Sequence, residues 1–145
     1  MFKANGIKVI EASADKVATI VFDPSRDSEW LTGVLSSKMM SDGQLGVGSK
    51  IVKKAEYFGK RYEADFEVLE FEEGRLLKMR TTVPLEFEVV FQINPQGDTC
   101  EVSMSLISLG KLPIAMPEFI VVRALEESIS RDLKKLKSIA EKQVD

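Results

Sequence analysis

The sequence predicts an α+β fold in which a curved antiparallel sheet of seven strands wraps around a long C-terminal helix and encloses an apolar cavity. Three observations indicate this fold: short segments of alternating polarity joined by turn residues, two short helical segments after the first strand, and one long amphipathic segment near the C-terminus. The 145 residues, 44% hydrophobic and 30% charged, suit one domain over residues 1–145 with its own core.

The N-terminal part predicts one strand followed by two short helices. Residues 2–11 place apolar side chains between polar ones, as a strand does, and Ser13 is the expected N-cap of the first helix. A second short helix is expected over residues 25–31, with Trp30 turned inward and Asp27 in solvent.

The middle of the chain predicts an antiparallel meander with one buried face. Residues 85–94 alternate most regularly, because every second residue from Leu85 to Ile93 is apolar and most of the intervening ones are polar. Glycine, proline and aspartate in the connectors permit tight turns. The predicted strands are residues 34–41, 49–58, 61–72, 76–82, 85–94 and 99–108.

The C-terminal segment, residues 117–144, predicts the helix that covers the sheet. Pro117 suits a first helical turn, and apolar residues recur at helical spacing along one face. The opposite face mixes acidic and basic residues and the sheet needs a cover, so core packing is favoured over membrane binding. The apolar stripe consists of Val122, Leu125, Ile129, Leu133, Leu136 and Ala140.

The composition excludes several kinds of site. The chain has no histidine and a single cysteine, Cys100, which removes histidine-based triads, the usual zinc ligand sets and an intramolecular disulfide. Cys100 alternates with inward positions and is expected to be an inert buried thiol. We therefore predict neither a metal nor a cofactor.

The charge pattern and the first residues of the sequence limit which partners and which location we expect. The net charge is −3, with acidic and basic residues interleaved, so no basic surface for nucleic acid is expected. The first twenty residues lack the pattern of a secretory signal, and no apolar run is long enough to cross a bilayer. We expect no membrane insertion and a cytoplasmic location.

Several motifs, spread over nearly the whole chain, are similar to one protein family. They are Ile10 to Val17, Asp23 to Val34, Gly46 to Ser49, Glu67 to Phe71, and the terminal helix Glu126 to Leu136 with its Asp132-Leu133-Lys134-Lys135-Leu136 ending. Together with the order of elements, they resemble the helix-grip fold of the START-like (SRPBCC) superfamily, in its polyketide cyclase/dehydrase branch. START domains and the birch-pollen allergen family share this fold.

The resemblance implies a ligand tunnel between the concave sheet face and the long helix. Such tunnels hold lipids, steroids, aromatic polyketides or plant-hormone-like molecules. The resemblance implies no fixed catalytic motif, so no catalytic residue is assigned.

The inward rows of the predicted elements supply aromatic and polarizable side chains suited to an apolar ligand. At each single position, ordinary core packing is the alternative, while several of the set are expected to touch the cavity. The candidate cavity residues of this kind are Trp30, Tyr57, Tyr62, Phe66, Phe87, Phe91, Met104, Phe119 and Val122.

Two charged residues complete the candidate site. Glu126 lies at the margin of the apolar helix stripe, where its carboxylate would point into the concave sheet face, and Arg80 on a strand of weak alternation would anchor a ligand carboxylate. For both residues, exposure to solvent is the alternative.

Three functions follow as hypotheses. The first is binding of a small hydrophobic molecule, such as a lipid, a polyketide or another apolar or aromatic metabolite, by a carrier or sensor. The second is a polyketide cyclase, aromatase or dehydratase in which Glu126, Tyr57 or Tyr62 moves protons. The third is a protein-interaction module that modulates a chaperone through residues 109–116 or the outer sheet face. The sequence leaves the ligand, the pathway and the oligomeric state open.

Overall fold

The structure, a computed structural model, describes residues 2–57, 59–83, 85–110 and 115–142. It confirms the predicted α+β architecture of a seven-stranded sheet, two short helical segments after the first strand and a long C-terminal helix. In chain order the elements are β1 (Phe2–Ile10), α1 (Ala14–Val21), a 3₁₀ turn (Pro24–Arg26), α2 (Asp27–Trp30), β2 (Val34–Met39), β3 (Lys50–Tyr57), β4 (Lys60–Glu72), β5 (Leu76–Thr81), β6 (Phe87–Gln96), β7 (Thr99–Ser108) and α3 (Glu118–Lys142).

All neighbouring strands are antiparallel, in the order β1-β7-β6-β5-β4-β3-β2. Strands β2 to β7 form the predicted meander, and β1 pairs with the last strand, so that Phe2 lies opposite Ser108 and Ile10 opposite Cys100. The two edges of the sheet are therefore β1 and β2.

The segment between β1 and β2 contains the short helical elements, and the first of them begins at a capped residue. The Ser13 hydroxyl accepts a hydrogen bond of 3.2 Å from the Lys16 amide, as an N-cap should. The predicted second helix is instead a 3₁₀ turn followed by the single turn of α2, and Trp30 at its end is buried. The expectation that Asp27 lies in solvent is wrong, because only 3% of this residue is exposed.

Helix α3 approaches the sheet closely where β1 carries a glycine. A Cβ atom at Gly6 would lie 2.5 Å from Ile129 Cγ2 and 3.3 Å from Leu133 Cδ1, so a larger residue fits there only if the Ile129 side chain or the backbone shifts. The buried residues of α3 are Val121, Ile129, Asp132, Leu133, Leu136 and Ala140.

Polar side chains of α3 satisfy backbone groups along β1 and just beyond it. Glu126 Oε2 accepts a hydrogen bond of 3.3 Å from the Asn5 amide, and Glu141 Oε2 accepts one of 2.7 Å from the Glu11 amide. The Lys137 ammonium donates to the Val9 carbonyl at 3.4 Å. An edge strand with occupied backbone groups is a poor template for pairing with another chain.

The space between sheet and helix is divided into a solid part and an open part. Leu133, Leu136 and Ala140, in the second half of α3, are at most 1% exposed and pack into the core. The first half of the helix instead faces a cavity. Within the described ranges, no helix is long and apolar enough to span a bilayer.

Candidate functional site

The cavity lies between the concave face of the sheet and the first half of α3. It has a free volume of about 150 Å³, and its wall is mostly apolar. The lining residues are Phe2, Leu31, Val34, Lys53, Ala55, Tyr62, Ala64, Phe66, Leu85, Glu86, Phe87, Val89, Phe91, Met104, Leu106, Ser108, Val121, Leu125, Ser128, Ile129 and Asp132.

Part of the predicted site forms one continuous section of this wall. The alternation of strands β4, β6 and β7 turns these side chains to the same face of the sheet. The Phe66 and Phe87 rings meet edge to face, with centroids 5.7 Å apart. The predicted residues in the wall are Tyr62, Phe66, Phe87, Phe91 and Met104. That they bind a ligand stays a prediction.

The other predicted apolar residues lie elsewhere. Trp30 is completely buried in the core beside Phe91, with ring centroids 5.5 Å apart, so it stands behind the wall. Phe119 is 73% exposed at the start of α3. Val122 is half-buried against the core, whereas Val121 and Leu125 face the cavity, so the predicted helix stripe was rotated by one residue at its beginning.

The two predicted charged residues also lie outside the wall. Arg80 Nη2 donates to Glu86 Oε2 at 2.7 Å, because the alternation of β5 turns Arg80 away from the concave face. Glu126 is exposed and accepts from the Asn5 amide, because its helix position points toward β1. The side chain of Tyr57 and residues 111–114 lie outside the described part of the structure.

An ion pair that the sequence analysis missed lies at the wall. Lys53 Nζ is 3.1 Å from Asp27 Oδ2, and the two side chains are only 6% and 5% exposed. The Ser37 hydroxyl donates to the same Asp27 oxygen at 2.9 Å, and Lys53 Nζ lies 5.0 Å from the centre of the Phe66 ring. The available signal was the inward position of Lys53 between Ile51 and Ala55 on β3.

A second buried carboxyl, Asp132 on α3, was also missed. Its Oδ1 accepts two hydrogen bonds from Thr32, one of 3.1 Å from the amide and one of 2.8 Å from the hydroxyl. Burial raises the pKa of Asp132, and the bonds from Thr32 partly oppose that rise. The available signal was its spacing, three residues after Ile129 and one before Leu133 on the buried stripe.

The two buried charged residues of the wall are both held by the segment around α2, and this part of the wall is called the polar end. Asp27, which holds Lys53, and Thr32, which holds Asp132, lie five residues apart in a tight segment where the Leu31 amide donates to the Asp27 carbonyl at 2.8 Å. Leu31 itself lines the cavity between them. The site thus combines an apolar chamber with a polar end built around α2.

Within the described ranges, no group of three or more acidic or cysteine side chains is arranged to hold a metal ion. The wall itself offers carboxyl, ammonium, hydroxyl and phenol groups surrounded by apolar surface.

The sequence model of the family described as polyketide cyclase / dehydrase and lipid transport matches residues 1–141. The chain belongs to this family. Solved structures of similar fold include a START superfamily protein from Mycobacterium smegmatis, with 20% identity, a TM-score of 0.81, and coverage of 96% of this chain and 97% of that one. The fold of this family member is therefore the predicted START-like helix-grip fold.

Two further structures resemble this polyketide cyclase-like protein. A protein from Thermus thermophilus has 17% identity and a TM-score of 0.80, with 97% of each chain covered. The di-domain ARO/CYC protein BexL from the BE-7585A biosynthetic pathway has 17% identity and a TM-score of 0.73, with 97% of this chain and 47% of that chain covered. A search of curated proteins gave no match.

Proposed function

We propose that this protein binds a small hydrophobic molecule in the cavity between sheet and helix and acts as its carrier or sensor. The observation that carries the proposal is the mostly apolar chamber of about 150 Å³ between the sheet and α3. Family membership supports the same conclusion, since the family is described by polyketide chemistry and lipid transport.

The energetic cost of an empty chamber supports an occupant. At about 24 cal/mol per Å³, a dry void of this size costs about 3.6 kcal/mol, a substantial part of the stability of a domain. An apolar ligand that fills the space restores those contacts and stabilises the folded state. A dry cavity of about this size in another protein takes up benzene, so a group of about one aromatic ring fits the chamber.

A catalytic role as a cyclase, aromatase or dehydratase is the second candidate. The observation that favours it is the convergence of Tyr62, Lys53 and Asp132 on one apolar chamber, where proton-transferring groups would meet an oriented substrate. Turnover of a poly-ketone substrate that is lost in Asp132→Asn, with binding retained, would establish this role. Binding without turnover would leave the carrier or sensor.

The remaining expectations stay predictions. Residues 109–116, expected to serve a chaperone-modulating interaction, include four residues outside the described part of the structure. Lipid as the ligand, a cytoplasmic location and the absence of a nucleic-acid partner are likewise predictions.

The binding proposal is tested by recovering and displacing a ligand. The purified protein is denatured and its released small molecules are analysed by mass spectrometry, while the folded protein is titrated with the neutral dye Nile red. Trp30 is the single tryptophan and packs on Phe91 of the cavity wall, so its fluorescence gives a second signal of occupancy.

A matched pair of variants links the signal to the cavity. Ala64→Leu places a larger side chain inside the chamber, whereas Ala124→Leu makes the same change on α3 outside the lining set. We expect saturable binding that weakens about tenfold or more in Ala64→Leu, from lost space and contacts, and hardly changes in Ala124→Leu. The absence of a copurified hydrophobe and of saturable dye binding would refute the proposal.

A further inference from the structure

The polar end of the cavity contains a carboxyl oxygen with no protein donor among the described residues. Both hydrogen bonds that Asp132 receives go to Oδ1, and both come from Thr32. Asp132 is only 5% exposed and is one of the residues that line the cavity, and its second oxygen, Oδ2, receives no hydrogen bond from the described residues. A buried acceptor gains most from a partner that reaches it from the ligand side.

The charges around this end leave it negative when Asp132 is ionised. The positive charge of Lys53 is balanced by Asp27 at 3.1 Å. Glu86, the other acidic residue of the described wall, is paired with Arg80. Among the described residues, Asp132 has two bonds from Thr32 and the favourable charges of Arg131 and Lys135.

We propose that Asp132 determines ligand specificity: the chamber takes neutral apolar molecules that carry a hydroxyl group, whose hydrogen is donated to Asp132 Oδ2. This inference rests on the proposed binding function and names its ligand class. The apolar walls hold the hydrocarbon body, and the hydroxyl lies at the polar end near Leu31.

The same arrangement rejects two related classes of molecule. A ligand without the hydroxyl leaves the Asp132 oxygen buried and unpaired, which disfavours its binding. A ligand with a carboxylate in place of the hydroxyl brings a second negative charge toward Asp132 inside a poorly solvated site. Free fatty acids and other carboxylates are therefore poor ligands when their head group enters the chamber first.

The test compares three probes that share one hydrocarbon body: para-propylphenol, propylbenzene and para-propylbenzoate. Binding is measured by calorimetry and by displacement of Nile red at about pH 8, where the phenol is neutral and the benzoate is ionised. We expect the phenol to bind about 10- to 100-fold more tightly than propylbenzene, as a hydrogen bond to a charged group implies. We expect the benzoate to bind more weakly than the phenol by at least the same factor.

The decisive variant is Asp132→Asn, which keeps the shape and an acceptor for Thr32 while removing the charge. It should reduce the preference for phenol over benzoate by about tenfold or more, since the like-charge repulsion is gone. Glu126→Gln makes the same chemical change on the same helix outside the cavity wall and should leave all three affinities unchanged. Thermal melts confirm that both variants are folded.

The outcomes separate this inference from the binding proposal. If Nile red and propylbenzene bind but the phenol has no advantage, the inference is overturned and the binding proposal stands. The inference is also overturned if the preferences persist unchanged in Asp132→Asn. If neither the probes nor Nile red binds, both proposals fail.

Discussion

Lys53 and Asp27 form an ion pair of 3.1 Å that is almost completely withdrawn from water, with side-chain exposures of 6% and 5%. The pair joins the third strand of the sheet to the short helix α2, at the polar end of the cavity. Ser37 donates to Asp27 as well, so the carboxylate has two protein partners. Removing one member would leave the other as an uncompensated buried charge.

We therefore expect Lys53→Met to lower the free energy of unfolding by about 3–5 kcal/mol, as breaking a buried pair does. The matched control is Lys50→Met on the same strand. Lys50 pairs with Glu67 over the same 3.1 Å, but the two side chains are 59% and 47% exposed. That control should cost no more than about 1 kcal/mol. Urea titrations of both variants give the comparison, and equal losses would contradict a role for burial.

Gly6 provides a second quantitative prediction, because its missing side chain sets the distance between β1 and α3. Gly6→Ala places a carbon 2.5 Å from Ile129 Cγ2, so the Ile129 side chain, the helix or the strand must shift. We expect a loss of about 1–3 kcal/mol, as for other overpacked sites. Gly46→Ala is the control, since no atom lies within 4 Å of the place that its Cβ would take and its backbone is not left-handed.

Unfolding midpoints of the two alanine variants, measured under one set of conditions, test this prediction. A loss for Gly6→Ala no larger than that for Gly46→Ala would show that β1 and α3 adjust freely to each other.

The sequence predicted the strands well because alternation is a local property. Phe66 and Met104 were placed inward from their neighbours alone, and both are buried in the wall. The rotation of α3 was predicted less well: Phe119 was expected at the cavity and Val122 on the apolar stripe, but Phe119 is exposed and Val121 takes the inward position. Only the contact with the sheet decides that Val121 faces inward.

The polar end of the site could not be predicted in the same way. Lys53 and Asp27 are 26 residues apart in the sequence, and Thr32 and Asp132 are 100 apart, so each pairing depends on the folded topology. A charged residue on an inward position was visible at Lys53, but its partner was expected in solvent. A buried position for a charged residue can be predicted only when the residue that compensates its charge is also identified.

Glu126 gives a prediction that separates its structural role from the catalytic role first considered. Its carboxylate accepts from the Asn5 amide at 3.3 Å and is exposed, outside the cavity wall. We expect Glu126→Gln to leave ligand affinity unchanged and to cost less than about 1 kcal/mol of stability, because the amide oxygen still accepts this bond. Dye titration and a thermal melt measure both. A tenfold loss of affinity would show that Glu126 contributes to ligand binding.

Asp132 gives a prediction about pH whose sign follows from its environment. Burial raises the pKa of this carboxyl in the folded state, so the folded protein holds the proton at pH values where the unfolded chain has released it. Stability contributed by this group is then greatest at low pH and falls as pH rises from about 4 through the raised pKa. The hydrogen bonds from Thr32 and the charges of Arg131 and Lys135 reduce this loss without reversing it.

The measurement is the free energy of unfolding of the wild type relative to Asp132→Asn, followed from about pH 4 to pH 8. The remaining titratable groups are common to both proteins, so their contributions largely cancel in the difference. We expect the wild type to lose stability relative to the variant as pH rises, because asparagine carries no charge that burial can penalise. A difference that stays constant with pH would mean that the bonds from Thr32 balance burial, and one that moves in favour of the wild type would mean that they outweigh it; either result would contradict a raised pKa of Asp132.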